Sequence, residues 1–345
     1  MTTKDRPANP KVSVVIPRFN AKYTIKICLG SIFSQSYQPC EVIVVDDRST
    51  DDSPSIARQM GAKIFTQEKN QGPALARNRG AKEAGGDVLF FVDSDTAMQP
   101  GTIANMVSTI TRPGIDAVVG RYAKNSINTG LVPEYYALLK HHSKTFEGIE
   151  DHSVFCGECV GSWREAFLDT GGYNPLPWGM DFENEEMGRR FIKKYHIVID
   201  PSVEVRHHFP PLKKLIRLFY NRTYWWVRFY FVHRTFEKAL TTKSFAVGSV
   251  SGFLILPLAT LTGLLEIYTG ISKPFYISSA LLTIVILLFA NSYRTFIQFV
   301  RQEKGVLFSI AATALSALLS WPITIGAIHG VLDYTIKGKP NIQRP

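Results

Sequence analysis

Two aspartates one residue apart, Asp93 and Asp95, directly follow the apolar run VLFFV. On a short extended stretch, residues i and i+2 point to the same side. Two hard carboxylate oxygens placed this way can hold Mg²⁺ or Mn²⁺, with phosphate oxygens completing the shell. A second acidic pair, Asp46-Asp47, follows EVIVV, and Arg18-Phe19-Asn20 follows KVSVVIP. A carboxylate beside an apolar core is costly unless it is paired, hydrogen-bonded or metal-bound. Such groups at the ends of neighbouring apolar runs point to a site for a cation and a polar ligand. A further acidic run, Glu183-Asn184-Glu185-Glu186, offers carboxylates for acid–base work. Each pattern alone also suits a solvated turn or helix face; position after buried strands is what favours chemistry.

The elements that must position these groups are legible as alternating strands and helices. Residues 11–17, 41–45, 62–67 and 88–92 are short apolar or β-branched runs, expected as strands. Those at 41–45 and 88–92 lack polar alternation, as in strands buried on both faces. Residues 22–36 repeat apolar side chains at helical spacing. Residues 51–60 follow the capping cluster Ser49-Thr50-Asp51-Asp52, and residues 73–84 begin with Pro73. This alternation predicts an α/β fold with a mostly parallel, doubly wound sheet and helices on both faces. In such sheets ligands bind beyond the carboxyl ends of the strands, where both aspartate pairs fall. Neither G-x-G-x-x-G after the first strand nor G-x-x-x-x-G-K-[ST] occurs, which argues against a dinucleotide fold and a P-loop NTPase.

The ordered segments SVVIPRFN, VVDDRSTDDS, NQGPALARNRGAKEAGGDVLFFVDSDT and GGYNPLPWGMDFENEEMGRR resemble the family 2 inverting glycosyltransferases of the GT-A fold, over about residues 11–210. The resemblance implies that Pro17 and Asp47 line a nucleoside pocket, with Asp46 in support. It implies that Arg77 approaches the nucleotide, that Asp93 binds ribose or metal, and that Asp95 ligates the metal bridging the diphosphate. The family usually carries Glu-Asp-x-x-Leu-x-x-Arg, with the Asp as general base. Asn184 stands at that position here, and an amide cannot take a proton. Either Glu183, or less readily Glu185, does this work, or the acceptor is already an anion such as a polyprenyl phosphate. The family often has a histidine where His207-His208 stands, near the donor phosphates or acceptor, so His207 joins the metal candidates. Processive members carry Q-x-x-R-W; the nearest stretch, Asn221-Arg222-Thr223-Tyr224-Trp225, lacks both the Gln and the Arg.

The mean hydropathy of zero hides two different halves. Residues 244–265, 274–293 and 305–332 are long and uncharged, and a helix spans a bilayer with ~20 apolar residues. Three spans are expected, with a hairpin at Trp321-Pro322 as the rival for the last. The net charge is +10. Between residues 205 and 236, Arg206, Lys213, Lys214, Arg217, Arg222, Arg228 and Arg234 mix with aromatic residues and no acid. Beside the spans, this reads as an interfacial helix on anionic membrane lipids rather than a nucleic-acid surface. Basic residues at 294, 301 and 304, and a polar start at residues 1–11, predict a cytoplasmic head. The lone pair Cys156-x-x-Cys159 lacks the partners of a zinc site.

The expected organisation is a cytoplasmic catalytic domain over residues 1–205, an interfacial region at 206–243, a membrane region at 244–335 and a tail at 336–345. The expected activity is transfer of a sugar from a UDP-, GDP- or dTDP-linked donor, with Mg²⁺ or Mn²⁺, to a lipid-linked glycan or polyprenyl phosphate for envelope polysaccharide synthesis. A non-catalytic membrane partner that binds nucleotide or glycan, and a processive polysaccharide synthase, are the alternatives.

Overall fold

Non-alternating apolar runs form the centre of one sheet. The computed structural model describes residues 6–143, 148–175, 182–233 and 243–338, apart from the side chains of 229, 232 and 233. The motif residues 176–181, Arg234, Lys339 and Arg344 lie outside the described residues. In chain order the first elements are β1 (Val12–Arg18), α1 (Ile25–Phe33), β2 (Glu41–Asp46), α2 (Ser53–Gln59), β3 (Lys63–Thr66), α3 (Pro73–Glu83) and β4 (Val88–Val92). Next come β5 (Thr96–Met98), α4 (Thr102–Ile110), β6 (Ala117–Tyr122), α5 (Leu131–His142), β7 (Glu150–Asp151), β8 (Cys159–Trp163), α6 (Arg164–Asp169), α7 (Glu183–Phe191) and β9 (Ile197–His207). The last are α8 (Leu212–His233), α9 (Lys243–Thr269) and α10 (Lys273–Lys337).

The sheet runs β3-β2-β1-β4-β8-β6-β9-β5, with β7 also paired to β9. β3, β2, β1 and β4 are parallel, as the alternation predicts. Beyond β4 the sheet is mixed: β8 lies antiparallel to β4 and β6, and β5 antiparallel to β9. Apolar periodicity reveals a strand but not its direction, so this half was not legible. The chain leaves β1 first to one side and then to the other, which makes β1/β4 the switch point where a crevice forms. The β1–β4 ladder covers only Val12–Val15. Pro17, without an N–H, lies beyond it and cannot extend the pairing. Beneath this edge, Phe91 packs with Phe155, Phe167 and Tyr173 at ring-centroid distances of 6.3, 4.8 and 6.2 Å.

The chain divides into two compact units: the sheet unit, up to residue 129 and from 144 to 209, and a helical unit of residues 130–143 and 210–342. Within the helical unit, α9 and α10 are long and apolar enough to cross a membrane. α10 is interrupted at Gly305, with φ 84° and ψ −179°, a conformation open essentially to glycine alone. The chain doubles back there. Tyr135 of α5 hydrogen-bonds Ser316 at 3.0 Å and packs on Phe296 at 5.7 Å, which touches both sides of the break. The helix runs through Trp321-Pro322, so the reversal falls earlier than the expected rival hairpin. α8, in the region expected as an interfacial helix on membrane lipids, packs along the second arm of α10. A side chain on Gly326 or Gly330 would meet the carbonyl oxygens of Tyr220 and Tyr224 at 2.5 Å. Small residues four apart permit this approach. Asp333 then receives Tyr224 Oη at 2.6 Å and Arg228 Nη1 at 3.1 Å.

Candidate active site

The strand ends at the crevice carry the predicted groups. In β1 and β2, Arg18 sits opposite Asp46, and Arg18 Nη2 donates to Asp46 Oδ1 at 2.5 Å with both side chains buried. Asp46 also accepts from the Ser49 N–H at 3.0 Å. Asp47 accepts from Gln67 Nε2, the Gln71 N–H and the Gly72 N–H at 3.0, 2.8 and 2.7 Å. The last two donors lie at the start of α3, so Asp47 fixes that helix against the end of β2. Two loops are stitched here as well: Asn20 N–H donates to Ser49 Oγ at 2.8 Å, and Thr50 N–H to Asn20 Oδ1 at 2.9 Å. Asn20 and Arg48 hold φ values of 50° and 68°, the only positive ones on non-glycine residues among those described. Such strain gathers where surrounding contacts hold a functional loop in place.

α3 brings Arg77 to the same edge. Its Nη2 donates to Asp93 Oδ1 at 2.6 Å, its Nη1 lies 3.8 Å from Glu183 Oε1, and its guanidinium stands 5.4 Å from the Tyr173 ring centre. Burial works against the Arg77 charge, but Asp93, Tyr173 and Glu183 hold it protonated above its ordinary range. Burial raises the Asp93 carboxyl against the pull of Arg77, with Asp95 and Glu158 adding to the rise. A Cβ on Gly157 would lie 2.6 Å from both Arg77 Cζ and Tyr173 Oη, so only a glycine lets the guanidinium reach this place.

Asp95 and His207 form a second pair. β5 and β9 place Thr96 opposite His207, the His208 N–H donates to the Asp95 carbonyl at 2.8 Å, and His207 Nε2 lies 3.3 Å from Asp95 Oδ1. Burial raises the Asp95 carboxyl, but His207 outweighs it and leaves the group below the usual range. Burial likewise disfavours the imidazolium, and Asp95 more than restores it, so His207 titrates above an ordinary histidine. No group of three or more His, Cys, Asp or Glu able to hold a metal ion occurs among the described residues. Asp93 is turned to Arg77, so Asp95 and His207 remain as donors. A half-exposed carboxylate oxygen beside an imidazole nitrogen suits Mn²⁺ or Mg²⁺ whose other positions are filled by phosphate oxygens. The donor set fits such an ion.

The acidic run opens α7. Glu183 reaches Arg77, Glu185 is buried, and Glu186 pairs with Arg190 at 2.6 Å. Asn184 makes no proton-accepting group. Its Oδ1 accepts the Gly157 N–H at 3.0 Å, and its Nδ2 donates to Glu158 Oε2 at 3.2 Å. Glu158 and Tyr173 are site residues that sequence reasoning missed. Glu158 arrives because β8 runs antiparallel to β4 with Val92 opposite Cys159, so residues 158 and 93 leave neighbouring strands at one edge. The C-x-x-C pair flanking Glu158 consists of two buried cysteines that are not joined in a disulfide.

Residues 13–171 match the family described as "Glycosyl transferase family 2". Among curated proteins, Glycosyltransferase AglE of Haloferax volcanii is 36% identical over 134 residues, or 37% of this chain and 44% of AglE. The GalNAc(5)-diNAcBac-PP-undecaprenol beta-1,3-glucosyltransferase of Campylobacter jejuni is 32% identical over 104 residues, 28% of this chain and 34% of that protein. The chain therefore spans less than half the length of these relatives. Among solved structures, the mannosyltransferase PcManGT of Pyrobaculum calidifontis, in complex with GDP-Man and Mn²⁺, superposes with a TM-score of 0.53 at 20% identity. The match covers 95% of this chain and 88% of that one. At that identity the likeness is one of fold.

Proposed function

We propose that this chain, whose residues 13–171 carry a glycosyl transferase family 2 domain, is a membrane glycosyltransferase. It moves a sugar from a nucleotide-sugar, with inversion and a divalent cation, to a lipid-linked glycan or polyprenyl phosphate in envelope polysaccharide synthesis. The observation that supports this best is the convergence of Asp46-Asp47, Arg77–Asp93 and Asp95–His207 at the switch-point edge of one sheet. Pro17, Asp46 and Asp47 border the nucleoside. Arg77 and Asp93 take the ribose and phosphate side. Asp95 and His207 would hold Mn²⁺ or Mg²⁺, and such an ion would supply charge neutralisation for the departing nucleoside diphosphate. The first turn of α7, with Glu183, Asn184 and Glu185, borders the acceptor. A nucleotide-sugar and Mn²⁺ in the mannosyltransferase of like fold, and an undecaprenol-linked substrate in the name of the Campylobacter relative, agree with these choices.

The apolar helices α9 and α10 anchor the protein, as a multi-pass membrane protein, beside its lipid acceptor. Arg301 and Lys304 precede the Gly305 break, and a basic turn between two spans favours the cytoplasmic side. The catalytic unit then faces the cytoplasm, where nucleotide-sugars are made. Detergent-purified protein, offered UDP-, GDP- and dTDP-sugars with Mn²⁺ or Mg²⁺ and a bacterial lipid extract, is expected to consume one donor in a cation-dependent way. Nucleotide binding without turnover would favour the non-catalytic partner; neither binding nor turnover would refute both.

A further inference from the structure

Asn184 is held from three directions. Its backbone carbonyl accepts the Phe155 N–H at 3.1 Å, its Oδ1 the Gly157 N–H at 3.0 Å, and its Nδ2 donates to Glu158 Oε2 at 3.2 Å. A backbone N–H can only donate and an ionised carboxylate can only accept, so the orientation of the amide is fixed. An aspartate at 184 could accept from Gly157 but would face Glu158 with a like charge. The residue type is therefore matched to a carboxylate at 158, and the amide aims that carboxylate.

Glu158 belongs to the same strand edge as the candidate site. It leaves β8 beside Asp93 at the switch-point edge. Its charge acts on Asp93, which follows β4, on His207 at the end of β9, and on Tyr173, which lies between α6 and α7. Glu183 is placed differently: its carboxylate shares Arg77 with Asp93. The single guanidinium is thus divided between two acids, and Glu158 adds a third negative charge on the same side.

Resting on the glycosyl-transfer reading above, we propose that Glu158 takes the proton from a neutral hydroxyl acceptor, with Asn184 as its positioning residue. The acceptor oxygen forms a bond to the anomeric carbon as the bond from that carbon to the diphosphate oxygen breaks. The electron pair leaves with the nucleoside diphosphate, and the hydroxyl proton passes to Glu158. The acceptor class follows from charge. A sugar hydroxyl of a lipid-linked glycan has a proton to give and no charge to repel. A phosphate monoester would bring an anion against Glu158 and Glu183 and needs no base.

The test uses the full-length protein in detergent and the nucleotide-sugar that binds best from the donor panel. Transfer is measured to water and to a lipid-linked glycan extract. Glu158→Gln is expected to leave donor affinity within about threefold, to lower kcat by about 10²-fold or more, and to remove the acid limb of the kcat–pH profile. Asn184→Asp is expected to lower kcat about tenfold or more and to move that limb upward, through like-charge coupling. The proposal is overturned if Glu158→Gln keeps wild-type kcat and pH profile, or if it loses donor affinity in step with kcat. It is also overturned if Asn184→Asp matches or exceeds wild type, or if the natural acceptor is a polyprenyl phosphate whose glycosylation ignores Glu158. Wild-type protein that binds no nucleotide-sugar would instead refute the glycosyl-transfer reading itself, and this proposal with it.

Discussion

His207 Nε2 stands 3.3 Å from Asp95 Oδ1, because the short strand β5 runs antiparallel to the end of β9 and sets Thr96 opposite His207. Oxygen and nitrogen donors from residues over a hundred positions apart are thereby fixed in one place before any ligand arrives. Asp95→Asn is expected to lower turnover on the order of 10²-fold or more and to abolish cation-dependent nucleoside diphosphate binding. Calorimetric titration of Mn²⁺ with the nucleotide present checks this; undiminished binding would remove Asp95 from the cation site.

Gly157→Ala tests how closely Arg77 must approach. The added methyl would sit 2.6 Å from Arg77 Cζ and from Tyr173 Oη, so the guanidinium has to move off its place between Asp93 and Glu183. Overpacking of this kind costs about 1–3 kcal/mol. A weakened donor affinity with a melting temperature only a few degrees lower is expected. Wild-type affinity would show that Arg77 does not need this position.

Glu41 links the ends of three segments and makes the sheet unit acid-sensitive. Its carboxylate accepts from Ser13 Oγ at 2.7 Å, the Gly85 N–H at 2.7 Å and Lys63 Nζ at 2.6 Å. Burial pushes its pKa up, but these donors, Lys63 first, more than offset that and hold it below the usual carboxylate value. A depressed folded-state pKa gives stability that is present above the unfolded-state value and is lost as pH falls through the folded one. Glu41→Gln should cost about 1–2 kcal/mol near neutrality, and the gap from wild type should shrink below pH 4. Melting temperatures from pH 7 to pH 3 measure it; a gap independent of pH contradicts the account.

Gly326→Val should separate α8 from the second arm of α10. The new Cβ would lie 2.5 Å from the Tyr220 carbonyl oxygen, a backbone atom that cannot swing aside. A loss of about 1–3 kcal/mol is expected, read as a lower melting temperature in detergent. Ile325→Val, on an exposed position next to it, serves as the control.

Much of this was legible locally. The strands at residues 12–18, 41–46 and 88–92 announce themselves as apolar runs, and Asp93 and Asp95 are visible because both sit just after one of them. Glu158 was not legible, because its place depends on the antiparallel register of β4 and β8, which no local pattern encodes. Asn184 was recognised as unable to accept a proton, but its task could be seen only with Gly157 and Glu158 beside it. The basic aromatic stretch is a helix whose packing on Gly326 and Gly330 had one available signal, the four-residue spacing of those glycines. The pairing of Arg77 with Asp93 also lay hidden, since it joins a helix to a strand end across the crevice.

The reversal at Gly305 decides what the last 65 helical residues can be. Drawn out straight at 1.5 Å per residue they would form a rod of about 98 Å, roughly three times the ~30 Å hydrocarbon layer. No bilayer could shelter such a rod. Folded at one glycine, the same residues become two arms that both approach α9 at Gly252, through Phe289 and Ser320. The hydrogen on a single α-carbon thus separates two arms from one rod that would overshoot any bilayer.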